Sequence, residues 1–104
     1  MTLQSISKID AKRIKETILK IANSGGLVLT DHVEQKMSER NFTIRDVINV
    51  LLNGRLKKKR GFDEEYQEWK YSIVGRDIDG TKLSIVFTIN ELERLLVLIT
   101  GMRG

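Results

Sequence analysis

The chain has no cysteine, no proline and only one histidine, with six per cent aromatic residues. The lack of cysteine excludes a disulfide framework, a thiolate nucleophile and any cysteine-ligated metal. One histidine and no His-Glu-x-x-His pattern leave too few good ligands for a metal site of another kind, and no cofactor is expected. No glycine-rich phosphate loop is present, because Gly25-Gly26 reads as a helix stop. No run approaches the roughly 18 apolar residues of a membrane span. The opening Met1-Thr2-Leu3-Gln4-Ser5-Ile6-Ser7-Lys8 shows neither an apolar signal region nor a small-residue cleavage site. A cytoplasmic location with no membrane partner is therefore the expectation.

What is present describes one globular domain over residues 1–104, 40% hydrophobic and 31% charged. Eighteen basic residues exceed fourteen acidic ones, giving +4 and a pI near 9.5. Five of the eighteen lie in Arg55-Leu56-Lys57-Lys58-Lys59-Arg60, just before Asp63-Glu64-Glu65. The run reads either as a solvated edge strand guarded by its lysines or as a stripe that tracks phosphate or an acidic partner.

Three helices come first. Ser7-x-x-Asp10 opens one over residues 8–23, with Ile14, Ile18, Ile21 and Ala22 as its apolar stripe, and Ser24-Gly25-Gly26 stops it. Leu27-Val28-Leu29 leads into a second helix over 31–40. Asp31-x-x-Glu34 caps it, Val33 and Met37 face inward, and Asn41 takes the left-handed position after it. Thr43-x-x-Asp46 caps a third over 44–53, which Gly54 ends. The period then changes to two. Trp69, Tyr71 and Ile73 alternate with polar residues, Asp79-Gly80 signals a type I′ hairpin, and Leu83, Ile85, Phe87 and Ile89 alternate again. Leu95-Leu96-Val97-Leu98-Ile99 is continuous, the mark of a strand covered on both faces. The fold class is α+β, with the helices on one face of an antiparallel sheet of about four strands.

Candidate chemistry centres on the histidine. His32, Lys36 and Arg40 stand at i, i+4 and i+8 on one face of the second helix. Metal-independent RNA cleavage needs a base for the 2′-hydroxyl, an acid for the leaving oxygen and cations for the pentacovalent phosphate. His32 is the one side chain whose ordinary pKa suits proton transfer at pH 7. Arg76 follows Gly75, which leaves room beside it, and Tyr71 and Thr100 are candidates for a relay or a phosphate hydrogen bond. The plainer alternatives make His32 a cap partner, Lys36 and Arg40 members of helical pairs with Glu34, Gln35 or Glu39, Met37 core and Trp69 a sheet anchor.

His32-x-x-x-Lys36-Met37-x-Glu39-Arg40-Asn41-Phe42-Thr43, then Asp46-Val47 and Leu52-Asn53-Gly54, resembles a small bacterial domain-of-unknown-function family. That family reads roughly His-Ala-x-x-Arg-Met-x-x-Arg-Gly-Ile-[Ser/Thr]. Tyr71-Ser72-Ile73-Val74-Gly75-Arg76, Asp79-Gly80-x-x-Leu83-x-Ile85-Val86-Phe87 and Val97-Leu98-Ile99-Thr100 are similar to its second half. The resemblance spans residues 29–103 and leaves 1–28 as an added N-terminal helix. Lys36 stands where the family often has Arg, and Asn41 where it has Gly. The family in turn looks like a branch of the compact RelE, ParE and MqsR toxins. That likeness implies a RelE-like fold and the toxin half of a toxin–antitoxin pair, a metal-independent endoribonuclease acting on mRNA, with or without the ribosome, and held by a cognate antitoxin. By this reading His32, Arg76, Lys36 and Arg40 are catalytic, while Lys57, Lys58, Lys59, Arg60, Tyr71 and Thr100 bind RNA or phosphate. ParE-like relatives poison gyrase on the same fold, and the rival reading is a non-catalytic module that binds protein or nucleic acid.

Overall fold

The computed structural model describes residues 4–5, 8–63, 68–90 and 94–103, and the side chains of 11–57, 69–90 and 94–103. The element order is β1 (Gln4–Ser5), α1 (Lys8–Asn23), β2 (Leu27–Leu29), α2 (Asp31–Glu39), α3 (Ile44–Asn53), β3 (Arg55–Asp63), β4 (Glu68–Arg76), β5 (Lys82–Asn90) and β6 (Leu95–Arg103). The three helices fall where their apolar stripes and caps put them. Ser7, expected to open α1, lies outside the described residues. At α2 the cap is Thr30 rather than Asp31. Its hydroxyl accepts the Val33 N–H at 3.2 Å and donates to the Leu98 carbonyl at 2.8 Å, and Asp31 sits in the first turn, where the helix dipole favours a carboxylate. Asn41 takes the left-handed conformation, φ +52°. Thr43 and Asp46 form the expected reciprocal capping box on α3.

The sheet is where the expectation needs correcting. It is mixed and six-stranded, in the order β1-β3-β4-β5-β6-β2, the first strand being only two residues long. The four nine-residue strands β3 to β6 make the expected antiparallel meander. What the pattern does not reveal is β2, three residues paired parallel to β6, and the fragment β1 against β3. Segments of two or three residues are too short to carry a period. The parallel pairing places β6 inside the sheet, in keeping with its continuous apolar run: Leu96, Val97 and Leu98 are all buried. The basic run also changes place. It forms β3, one strand in from the edge, with β1 alongside Lys58 and Lys59.

The β4–β5 connection differs too. Asp77 N–H donates to Thr81 O and Gly80 N–H to Asp77 O, at 2.8 and 3.0 Å, and only Gly80 in the turn is left-handed (φ +85°). That is a three-residue loop with a glycine bulge, not a type I′ turn. The cause is Asp77, whose Oδ1 accepts the N–H groups of Asp79 and Thr81 and winds the chain around itself.

All three helices cover one face. Ile18 and Ile21 of α1, Val33 of α2 and Val47, Val50 and Leu51 of α3 share one core with Phe42 and with Leu56, Ile73, Leu83, Ile85, Phe87, Leu96 and Leu98 of the sheet. Two close approaches hold the layers together. Gly101 lies against the ring of Phe42, and Gly75 lies under Gly54, whose Cα would stand 3.0 Å from a Gly75 side chain. Gly75 therefore serves the α3–β4 contact rather than making room for Arg76.

Candidate functional site

Strand alternation divides the candidate residues between two faces. Tyr71 pairs with Phe87 and Ile73 with Ile85 on the helix-covered side, and the rings of Tyr71 and Phe87 stack 5.9 Å apart. Arg76 and Thr100 have the other parity. Arg76 is in register with Lys82, and Thr100 with Val86, which lies outside the shared core. Tyr71 and Thr100 accordingly do not share a surface.

His32 is on the helix side, exposed in the first turn of α2. Lys36, one turn on, pairs with Glu39 at 3.2 Å, and Gln35 donates to the same carboxylate. These contacts hold the Glu39 carboxyl below its ordinary value, first through the Gln35 hydrogen bond and then through Lys36. Arg40 lies eight residues past His32, about 12 Å along the axis. Its guanidinium donates to the Gly101 carbonyl at 2.7 Å, where β6 has run past the end of β2. Thr30 and Arg40 thus donate to backbone carbonyls of β6 at and beyond the end of β2. Arg76 donates to Gly80 O at 2.9 Å within its own hairpin, and Asn49 of α3 donates to the Arg76 carbonyl at 2.8 Å. The structure brings His32 and Lys36 onto one helix face, with Arg40 as the C-cap one residue past α2, but it leaves Arg76 across the sheet from them. Of the basic run, Lys57 is exposed, and the side chains of Lys58, Lys59 and Arg60 lie outside the described ones.

Arg103 is the residue that sequence reasoning missed. It donates through Nε to Arg40 O and through Nη2 to Asn41 O, both at 2.7 Å, and through Nη1 to Asp77 at 2.6 Å. One side chain ties the α2–α3 turn, the β4–β5 loop and the end of β6. Asp46 adds a second tie, accepting Ile78 N–H at 3.0 Å besides its cap to Thr43. Burial pushes the Asp46 carboxyl up, but the Thr43 and Ile78 hydrogen bonds outweigh it and hold the group below its usual value. Asp77 is also held low, by the Thr81 N–H and then by Arg103. Partners this far apart in sequence leave no local signal. Among the described residues no three His, Asp or Glu side chains come together as a metal cluster, and no helix is long and apolar enough to cross a membrane.

The sheet face away from the helices has its own character. By alternation and register it carries Arg55 opposite Val74, Arg76 opposite Lys82, and Lys70 opposite Thr88, with Ser72, Ser84 and Thr100 between. Arg76 and Lys82 are both exposed and directly cross-strand, an arrangement of like charges that weakens a sheet unless an anion shares them.

Residues 29–103 match the family described as Domain of unknown function (DUF4258), and the chain belongs to that family. No curated protein and no solved structure matches the chain significantly.

Proposed function

We propose that this member of the DUF4258 family is the toxin component of a toxin–antitoxin pair, that it acts on RNA, and that it grips the RNA backbone at the exposed cationic end of the sheet face away from the helices. The observation that carries the reading is the exposed end of that face, where Arg76 and Lys82 are directly opposed beside Arg55, with Ser84 partly exposed between them; Ser72, Val86 and Thr88 in the middle of the face are buried. Phosphate contacts supply most of the affinity of such surfaces and are independent of sequence. The resemblance to RelE-type toxins supplies the biological role, and α1, outside the matched region, is an addition to it.

Endonuclease activity is the finer form of this proposal, and it rests on His32, an exposed imidazole with Lys36 one turn along. The separation of His32 from Arg76 makes binding and cleavage separable. Induced expression in bacteria, with growth and transcript integrity followed together, tests both. Growth arrest that Arg76→Ala with Lys82→Ala relieves supports the RNA-gripping face. Transcript cleavage that His32→Ala lowers on the order of 10²-fold or more supports proton chemistry at the imidazole. Arrest with intact transcripts and an indifferent His32 identifies the chain as a non-catalytic binder. A chain that neither slows growth nor binds RNA overturns the proposal.

A further inference from the structure

A second cationic surface lies on the helix side of the molecule, where α1 meets Arg94, the residue before β6. Arg13, Thr17, Lys20, Ile21 and Ser24 of α1 and its C-terminal turn, with Arg94, line a cleft of about 600 Å³. Arg13, Thr17, Lys20 and Ser24 follow one another at i, i+4, i+7 and i+11, a single stripe on the helix. The hydroxyls of Thr17 and Ser24 donate back into their own helix, to Arg13 O and Ile21 O, so the three cations are the groups free to bind. Ion pairs among the described residues are Lys36–Glu39 and Arg103–Asp77, and Glu16, one turn before Lys20, does not take its charge.

The opposite wall is held in a costly conformation. Gly26 has no side chain to keep the Arg94 carbonyl away, and its own carbonyl accepts the Leu96 N–H at 2.7 Å. Arg94 itself is left-handed, φ +55°, where glycine would sit without steric cost. A charged residue held in such a conformation beside a cleft is the pattern from which a binding role is inferred.

We infer that this cleft binds phosphate of a nucleotide, either free or as a unit of an RNA strand. Of the described lining residues only Ile21 is apolar, which suits a phosphate better than the apolar core of a protein interface. The volume is that of a small-molecule site. Arg13 and Lys20 are about 10 Å apart along the axis, close to three axial phosphate steps of one nucleic-acid strand. The RNA arm rests on the function proposed above; phosphate binding by itself does not.

The test compares the full chain with Arg13→Gln/Lys20→Gln/Arg94→Gly, following anisotropy of a labelled 12-nucleotide RNA over a range of salt, and NMR titration with AMP and with inorganic phosphate. Three lost contacts should flatten the logarithmic salt slope by about 2 units and weaken RNA binding on the order of 10²-fold at low salt. Arg94→Gly alone should bind more weakly while melting no lower than the parent, since it removes the left-handed arginine; a purely structural Arg94 would not separate the two. If AMP and phosphate bind and RNA does not, the cleft stands as a small-nucleotide site and the RNA function falls. If RNA binds with unchanged slope in the triple variant, and AMP and phosphate shift nothing in the cleft, the inference is overturned and the sheet-face proposal survives. A decaglutamate peptide that occupies the cleft where AMP and phosphate do not would likewise overturn it.

Discussion

Gly101→Ala should destabilise the protein by an amount that disappears when Phe42 is shortened. Gly101 is buried in β6, and its backbone is not left-handed, so alanine introduces no conformational strain there. The whole effect is steric. A methyl group at this position would stand 3.1 Å from two carbons of the Phe42 ring and closer to a third. Phe42 is 2% exposed and follows the α2–α3 turn, so it cannot swing into solvent without opening the core. Overpacking of this kind costs about 1–3 kcal/mol. In a domain of this size each kcal/mol lowers Tm by about 4–8 °C. Phe42→Ala alone should cost about 3–5 kcal/mol through the cavity it leaves. In the double variant the new methyl enters that cavity, so the two losses should fall short of their sum by about 1–3 kcal/mol. Urea denaturation of the four proteins measures the cycle, with an unchanged m-value as the check that the same transition is compared. Losses that add to within about 0.5 kcal/mol would refute the contact.

Stability should fall in acid. Asp46 and Asp77 have carboxyl pKa values below the ordinary value near 3.9 in the folded chain, so the unfolded chain binds protons first. Their contribution is complete above about pH 4 and is lost as pH falls through the depressed values, and an Asp46→Asn/Asp77→Asn variant should show a flatter urea midpoint below pH 4; an unaltered acid profile would exclude both groups. Lys15 reaches from α1 to the carbonyls of Leu51, Leu52 and Gly54 at 2.9–3.3 Å, and burial lowers its pKa. Lys15→Met should cost about 0.5–1 kcal/mol from the lost charge at the α3 C-terminus and raise amide exchange in α1, whereas unaltered exchange would mean that the ammonium does not fasten the helix.

The helices were legible because each is bounded by chemistry that acts within four residues: Thr43 with Asp46, Gly25 after α1, and left-handed Asn41 after α2. The meander was legible because β4 and β5 alternate over most of their nine residues and β6 shows as a continuous apolar run. β2 was hidden by its length. The hairpin was misassigned because Asp79-Gly80 looks like a two-residue turn until Asp77, two positions earlier, captures the loop. At the candidate site the helix spacing of His32 and Lys36 was a local fact, whereas Arg40 falls one residue past α2, as its C-cap. The parity of Arg76 against Tyr71 and Ile73 was also local. What that parity means depends on which side the helices choose, and they pack on Tyr71, Ile73 and Phe87.

Several of the chain's cations are claimed by its own backbone. Lys15 closes the end of α3, Arg40 and Arg103 close β6 and the end of α2, and Arg76 holds the hairpin. Each sits where an element ends and leaves carbonyls that no regular partner can take. A positive side chain satisfies them without needing any ligand, so Lys15, Arg40 and Arg103 are explained by the fold, while Arg76 spends one donor on Gly80 O and stays exposed. Arg55, Lys70 and Lys82 on the sheet face away from the helices, and Arg13, Lys20 and Arg94 around the cleft, make no such bond among the described residues. The fold gains nothing from placing Lys82 against Arg76 or Arg94 in a left-handed turn, and each arrangement carries a cost. Cations placed against the interest of stability are the ones the fold does not explain, and phosphate is the ligand proposed for both surfaces.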